Sequence, residues 1–284
     1  MDKPITGIDH ALLGVRDLEA ARLSFGHLGF TLSPRGRHIG WGTANYCAMF
    51  RDSYIELLGI VEPAQFTNDL DTFLEAGEGL LGLAFATDDA DAAARDLRAR
   101  GIGVDGPKGL RRKLELPDGD VEPAFRTVHP ERAATAGISA FVCQHLTPGL
   151  VWREEWLDHA NGARGIDSVC AVVADPGAAA LAHGQLCGED AVSAGGAMVE
   201  VDTGGGRLRL CASGDRARLF PGVARVPDRA PPCLLGLRLA VADLGRTAGY
   251  FYTAGVPFTR DGERLLRLAP GCAHGAILEF VQGA

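Results

Sequence analysis

Residues 5–17, ITGIDHALLGVRD, read as an alternating apolar run that ends in an acid, and the reading recurs three more times along the chain. After Asp17 an amphipathic segment runs to Leu28 and closes on Gly29. Asp89, Asp175 and Asp243 open equivalent segments that close on Gly101, Gly188 and Gly255, with acid-to-glycine offsets of 12, 12, 13 and 12. A register kept that closely marks an internal repeat. In each copy the short acid is placed to cap the free N–H groups of a three-turn helix, and the glycine is placed to end it in the left-handed conformation. Leu18, Ala21, Phe25 and Leu28 form one stripe of the first helix, and Leu244, Thr247, Phe251 and Ala254 repeat it in the fourth.

Room for three further strands follows each helix. In the first copy they are expected at 30–34, 44–50 and 53–60, which makes each copy βαβββ. The fold class is therefore α+β: four tandem modules, at 5–62, 79–147, 164–213 and 233–282, in two similar halves of two modules each. We place the domains at 1–149 and 150–284, with Leu150 to Arg164 as the boundary. Arg216 to Pro232, rich in Pro and Arg, reads as a surface excursion, and 105–122 as a long hairpin or a loop over the site. Gly204-Gly205-Gly206 lacks the following helix of a phosphate-binding loop and reads as a hairpin turn.

Composition narrows the class of partner. The chain has 284 residues, 46% of them hydrophobic, enough for two ordinary cores. A net charge of -8, with no basic run longer than Arg111-Arg112-Lys113, argues against nucleic acid or an anionic membrane as partner. No apolar stretch reaches the roughly 20 residues that span a bilayer, and no secretory h-region is evident, so the expected location is cytoplasmic. Seven cysteines without a C-x-x-C pair fit reduced thiols. The expected partner is a small-molecule substrate, bound by a monomer or homodimer.

Gly7-Ile8-Asp9-His10, Val15-Arg16-Asp17-Leu18, Leu28-Gly29-Phe30, His38, Gly42-Thr43-Ala44-Asn45 and Tyr54-Ile55-Glu56-Leu57-Leu58 together resemble the glyoxalase-like branch of the vicinal oxygen chelate superfamily, the glyoxalase, bleomycin-resistance and extradiol-dioxygenase group. Phe141 to Pro148, followed by Leu150-Val151-Trp152-Arg153, is similar to it as well. The resemblance implies paired modules curled around a cleft, with metal ligands on first and fourth strands, and so implies His10 and Glu56 as ligands. The residues agree, since a carboxylate between Ile55 and Leu57 in an apolar strand needs a cation or donors.

The repeat register extends the set. The first-strand position is filled by His10, Gly82, Ser168 and Gly236, and the fourth-strand position by Glu56, His145 or a neighbour, about Arg209, and Glu279. His10, Glu56 and His145 are then the expected ligands of one divalent metal, Fe(II) first and then Mn(II) or Zn(II). Gly82 departs from the four-ligand pattern of a glyoxalase-type lyase. Cys143 shares the face of His145 and Gln144 takes the other. His38, Thr43, Asn45 and Arg126 are candidate substrate-binding residues, although the first three could instead bond their own backbone. The second domain reads as degenerate. By resemblance, the expected function is a metal-dependent enzyme on a small molecule chelated through neighbouring oxygens, an extradiol-type dioxygenase. The alternatives are a glyoxalase-like lyase or isomerase and a non-catalytic drug-binding protein, and the metal could also be purely structural.

Overall fold

The computed structural model describes residues 4–195 and 198–283. The four acid-to-glycine windows are helices: α1 (Leu18–His27), α3 (Ala90–Ala99), α5 (Pro176–Cys187) and α7 (Leu244–Ala254). Asp17, Asp89, Asp175 and Asp243 each accept hydrogen bonds from first-turn N–H groups, at 2.9 to 3.0 Å. Gly29, Gly101, Gly188 and Gly255 all adopt positive φ. Short helices α2 (Leu70–Glu75), α4 (Pro148–Val151) and α6 (Arg216–Leu219) lie in the connectors. No helix among the described residues is long and apolar enough to cross a membrane.

Around α1 the strands are β1 (Gly7–Gly14), β2 (Gly36–His38), β3 (Thr43–Met49) and β4 (Tyr54–Ile60). Around α3 they are β5 (Gly79–Ala86), β6 (Val104–Leu114), β7 (Ala124–Pro130) and β8 (Ala140–His145). These eight close into a barrel in the order β1-β4-β3-β2-β6-β7-β8-β5. The remaining strands are β9 (Ala163–Val173), β10 (Val192–Gly195), β11 (Met198–Asp202) and β12 (Arg207–Ala212), then β13 (Cys233–Val241), β14 (Thr259–Asp261), β15 (Leu265–Leu268) and β16 (Ile277–Gln282). They form one sheet in the order β10-β11-β12-β9-β13-β16-β15-β14. In both sheets the first strands of successive windows pair antiparallel, β1 with β5 and β9 with β13, and each lies parallel to the last strand of its own window.

The helices and the outer faces of both sheets share one continuous core, which runs from Phe25, Leu57 and Phe85 to Leu210, Phe251 and Phe280. Glycines let the two halves touch by backbone. The Ile8 N–H donates to the Gly205 carbonyl at 2.7 Å, and a Cβ on Gly7 would lie 2.9 Å from that oxygen. The Gly204–Gly206 turn thus joins β11 to β12 and also docks on the start of β1.

Two expectations are corrected and one is decided between its alternatives. Residues 30–34 are not a strand, because Phe30 is drawn into the core and Thr31 bonds Asp158 and His159 instead of a ladder partner. Of the two readings of 105–122 the hairpin holds: β6 returns at Val121 to pair antiparallel with β7, and it closes the barrel by pairing with β2. Arg216 to Pro232 is more than a surface excursion: most of it is exposed, but Phe220 is 2% exposed and fills the inner face of the second sheet. A Cβ on Gly236 would lie 2.8 Å from its ring.

That plug sets a stability prediction. Phe220→Ala is expected to lower unfolding stability by about 3 kcal/mol or more, whereas Tyr252→Ala, at a site 84% exposed, should stay within about 0.5 kcal/mol. Denaturant midpoints with equal losses for the two would contradict the plug.

Candidate metal centre

The barrel interior is crossed by a line of buried polar side chains. Asp9, His10 and Glu56 are 3%, 3% and 5% exposed. In the β1–β5 ladder Ile8 faces Phe85 and His10 faces Ala84, so Asp9 is an extra residue, a bulge. The bulge turns Asp9 inward beside His10, and its carboxylate bonds Nδ1 of that ring. His145, on β8, places Nε2 3.0 Å from Oδ2 of Asp9. On the far side of His10, Nε2 lies 3.4 Å from Oε2 of Glu56. The other carboxylate oxygen of Glu56 accepts from Asn45 at 2.5 Å and has Nε2 of His38 at 3.9 Å.

Supports surround this line. Arg112 donates to Oδ1 of Asn45 at 3.2 Å, which turns the amide N–H toward Glu56. Thr43 bonds Nδ1 of His38 at 2.9 Å. The Tyr54 ring stacks on His10 at 4.4 Å, and Phe125 and Trp152 wall His145 at 4.8 and 4.5 Å. From His38 an aromatic path leads outward through Trp41, at 5.4 Å, to Phe66, which is 58% exposed.

Electrostatics follow from these contacts. Burial works to raise the Asp9 pKa, but the bonds from His10 and His145 outweigh it and hold the carboxyl well below its usual range. Burial opposes ionisation of Glu56 too, and His10, His38 and Arg112 overcome it. Burial lowers His38 and pushes the Tyr54 hydroxyl and the Cys143 thiol well up.

Of the expected site residues, the barrel brings together His10, Glu56, His38, Thr43 and Asn45. His145 points into the same interior, and its face is shared with Cys143 while Gln144 caps α3, as its strand position requires. Its Nε2, however, rests on Asp9, and its Nδ1 is buried without a hydrogen-bond partner. Arg126 stays apart, paired with Asp91 at the start of α3. Among the described residues, the group of three whose possible ligand atoms all lie within 4.8 Å of one another is Asp9, Cys143 and His145.

The donors fit a divalent cation. Two ligands held at roughly 2.1 Å from one ion lie roughly 3.0 to 3.4 Å apart, which is the His10–Glu56 separation and is long for an N–H···O bond. Sequence reasoning missed Asp9, because strict alternation sends it outward, and Arg112, which it read only as part of a basic run. One signal for Arg112 was available: in a strand, the middle residue of Arg111-Arg112-Lys113 faces opposite to its neighbours.

The second sheet answers its own buried carboxylate differently. Glu279, 2% exposed, pairs with Arg238 and Arg267 at 2.7 Å each and has Arg209 at 3.6 Å. Guanidinium groups stand where a cation would be needed.

The model of a family described as a glyoxalase-like domain matches residues 8–187, more than half of the chain. No curated protein matches it. Among solved structures, a hypothetical protein from Staphylococcus aureus superposes with a TM-score of 0.67 at 13% identity, covering 98% of this chain and 99% of that one. A xylose isomerase-like TIM barrel/4-hydroxyphenylpyruvate dioxygenase fusion protein gives 0.59 at 16%, covering 99% of this chain and 50% of the other. A mutant 4-hydroxymandelate synthase from Streptomyces coelicolor gives 0.56 at 16%, covering 99% and 94%. At these identities the likeness is one of fold.

Asp9 and Glu56 ionise more readily in the folded than in the unfolded chain. Their contribution to stability is therefore fully present above the ordinary carboxylate values of 3.8 and 4.5, and is lost progressively as pH falls below them toward the lowered values of the folded chain. Metal-free protein should lose stability in two stages on acidification, first below about pH 6.5, where the unfolded chain takes up protons that buried histidines such as His38 resist, and again below about pH 4.5, with the second stage shallower in Glu56→Gln. A Tm that rises on acidification, or an unchanged slope in the variant, would contradict this electrostatic account.

Proposed function

Because the chain belongs to the glyoxalase-like domain family, we propose that it is a divalent-metal-dependent enzyme of the vicinal oxygen chelate superfamily, acting as an extradiol-type dioxygenase on a small molecule bound through two neighbouring oxygens. The observation that carries this reading is the pair of facing lone-pair atoms, Nε2 of His10 and Oε2 of Glu56, 3.4 Å apart inside a closed barrel. The residues that would hold the ion are His10 and Glu56, which face one another, with His145 as the third once its side chain moves toward them, since it lies across Asp9 from Glu56 and its Nδ1 is unpartnered. Two imidazoles and a carboxylate suit Fe(II). When bound, the ion supplies a Lewis acid and a template for the two substrate oxygens.

The chain's own residues do the rest. Asn45, held by Arg112, and His38, held by Thr43, fix the Glu56 carboxylate. Tyr54, Phe125 and Trp152 give the site an apolar wall that excludes water and suits a flat substrate. Trp41 and Phe66 line the way in. The 4-hydroxyphenylpyruvate dioxygenase fusion protein among the structural neighbours is consistent with this choice within the fold.

One observation favours a second reading. Cys143 lies with Asp9 and His145 in a group that could hold a metal, and a thiolate ligand selects zinc and, with it, a glyoxalase-like lyase or isomerase.

Metal analysis of protein purified without chelator under anaerobic conditions separates the two. We expect iron in the wild type, its loss in His10→Ala and Glu56→Ala, full occupancy in Cys143→Ser, and oxygen uptake with a panel of substituted catechols. Zinc that disappears in Cys143→Ser would establish the second reading. Full occupancy in both ligand variants would refute the first.

A further inference from the structure

Asp9 has two carboxylate oxygens and two imidazoles to serve. Oδ1 bonds Nδ1 of His10, and Nε2 of His145 lies 3.0 Å from Oδ2 and 3.2 Å from Oδ1. An ionised carboxylate only accepts, so the ring nitrogen facing it must carry a proton. That requirement reaches through each ring to its other nitrogen. His10 has only Nε2 left to offer, and Nε2 faces Glu56. His145 has only Nδ1 left, and Nδ1 is buried and unpartnered, walled by Phe125 and Trp152. A histidine that offered Nε2 inward would leave Asp9, 3% exposed, without its second donor.

We propose that Asp9 is a positioning residue that selects the nitrogen each imidazole presents, so that His10 offers Nε2 to an ion at Glu56 and His145 offers Nδ1 to the interior walled by Phe125 and Trp152. The proposal rests on the metal-dependent reading above but is tested separately from it. Asp9 acts through the two rings and is not itself a ligand, which distinguishes it from a donor in the Asp9, Cys143 and His145 group. Its position depends on the β1 bulge, beside the point where the Gly204–Gly206 turn docks on Gly7 and Ile8.

The test is long-range proton–nitrogen correlation NMR of 15N-imidazole-labelled protein loaded with zinc, with His145→Gln used to assign its ring. The expected wild-type pattern is a proton on Nδ1 of His10 and on Nε2 of His145, with Nε2 of His10 and Nδ1 of His145 bare. Asp9→Asn, whose amide can donate as well as accept, is expected to mix the His145 tautomers and to weaken zinc binding 10- to 100-fold while leaving the ion bound at saturating zinc. A proton on Nδ1 of His145 in the wild type would overturn the proposal, and so would zinc coordinated by Asp9 itself or an Asp9→Asn protein with unchanged tautomers and affinity. If the protein takes up no zinc at all, the metal reading fails by itself. The His145 tautomer in metal-free wild type still decides the role of Asp9, and it needs no folded variant.

Discussion

A carboxylate placed on the inner face of a closed or plugged β-sheet must be given positive charge or donors, because several kcal/mol of desolvation otherwise oppose folding. The chain meets this constraint twice, at Glu56 and at Glu279, each on the last strand of its window. The two halves resolve it in opposite ways. Around Glu279 the answer is supplied by the chain's own side chains: Arg238 and Arg267 neutralise it, and Phe220 fills the space over Gly236. Around Glu56 the answer is incomplete, since the nearest imidazole stands at 3.4 Å and only Asn45 makes a short bond. The interior thus supplies fixed guanidinium groups at one carboxylate and none within hydrogen-bond reach of the other.

That division does not separate the halves physically. Their outer faces share one core, and the Gly205 carbonyl accepts from the Ile8 N–H of β1 just before the bulge. Arg229 from the segment after Phe220 donates to the carbonyls of Gly77 and Glu78 at the mouth of β5 and covers Phe73 at 4.3 Å. The closed half therefore holds both of the strands that pair at the centre of the barrel. Its contribution to the site is rigidity at β1, where one residue of slippage would exchange Asp9 and His10 for their outward-facing neighbours.

The repeat, the helices and their caps were legible because they are local: an acid, a stripe and a glycine at fixed offsets each have one physical meaning. His10 and Glu56 were legible for the related reason that a charge in an apolar strand is conspicuous. Asp9 was not, since a bulge breaks the period on which strand reading depends and depends itself on packing from the other half. Phe220 was hidden in a Pro- and Arg-rich stretch, where composition argues for solvent and only the glycine at 236 leaves the cavity that one aromatic ring fills. Arg126 illustrates the converse, a basic residue on a site strand whose parity points it away, to Asp91.

The central claim is that one half of the chain holds the cation and the other replaces it with guanidinium. Anomalous diffraction from crystals of the metal-loaded protein, collected at the absorption edge of the bound metal, tests it directly. The account predicts a single peak per chain, inside the barrel between Nε2 of His10 and the Glu56 carboxylate. A peak at Glu279, or one coordinated by Asp9, Cys143 and His145 and remote from Glu56, would contradict it.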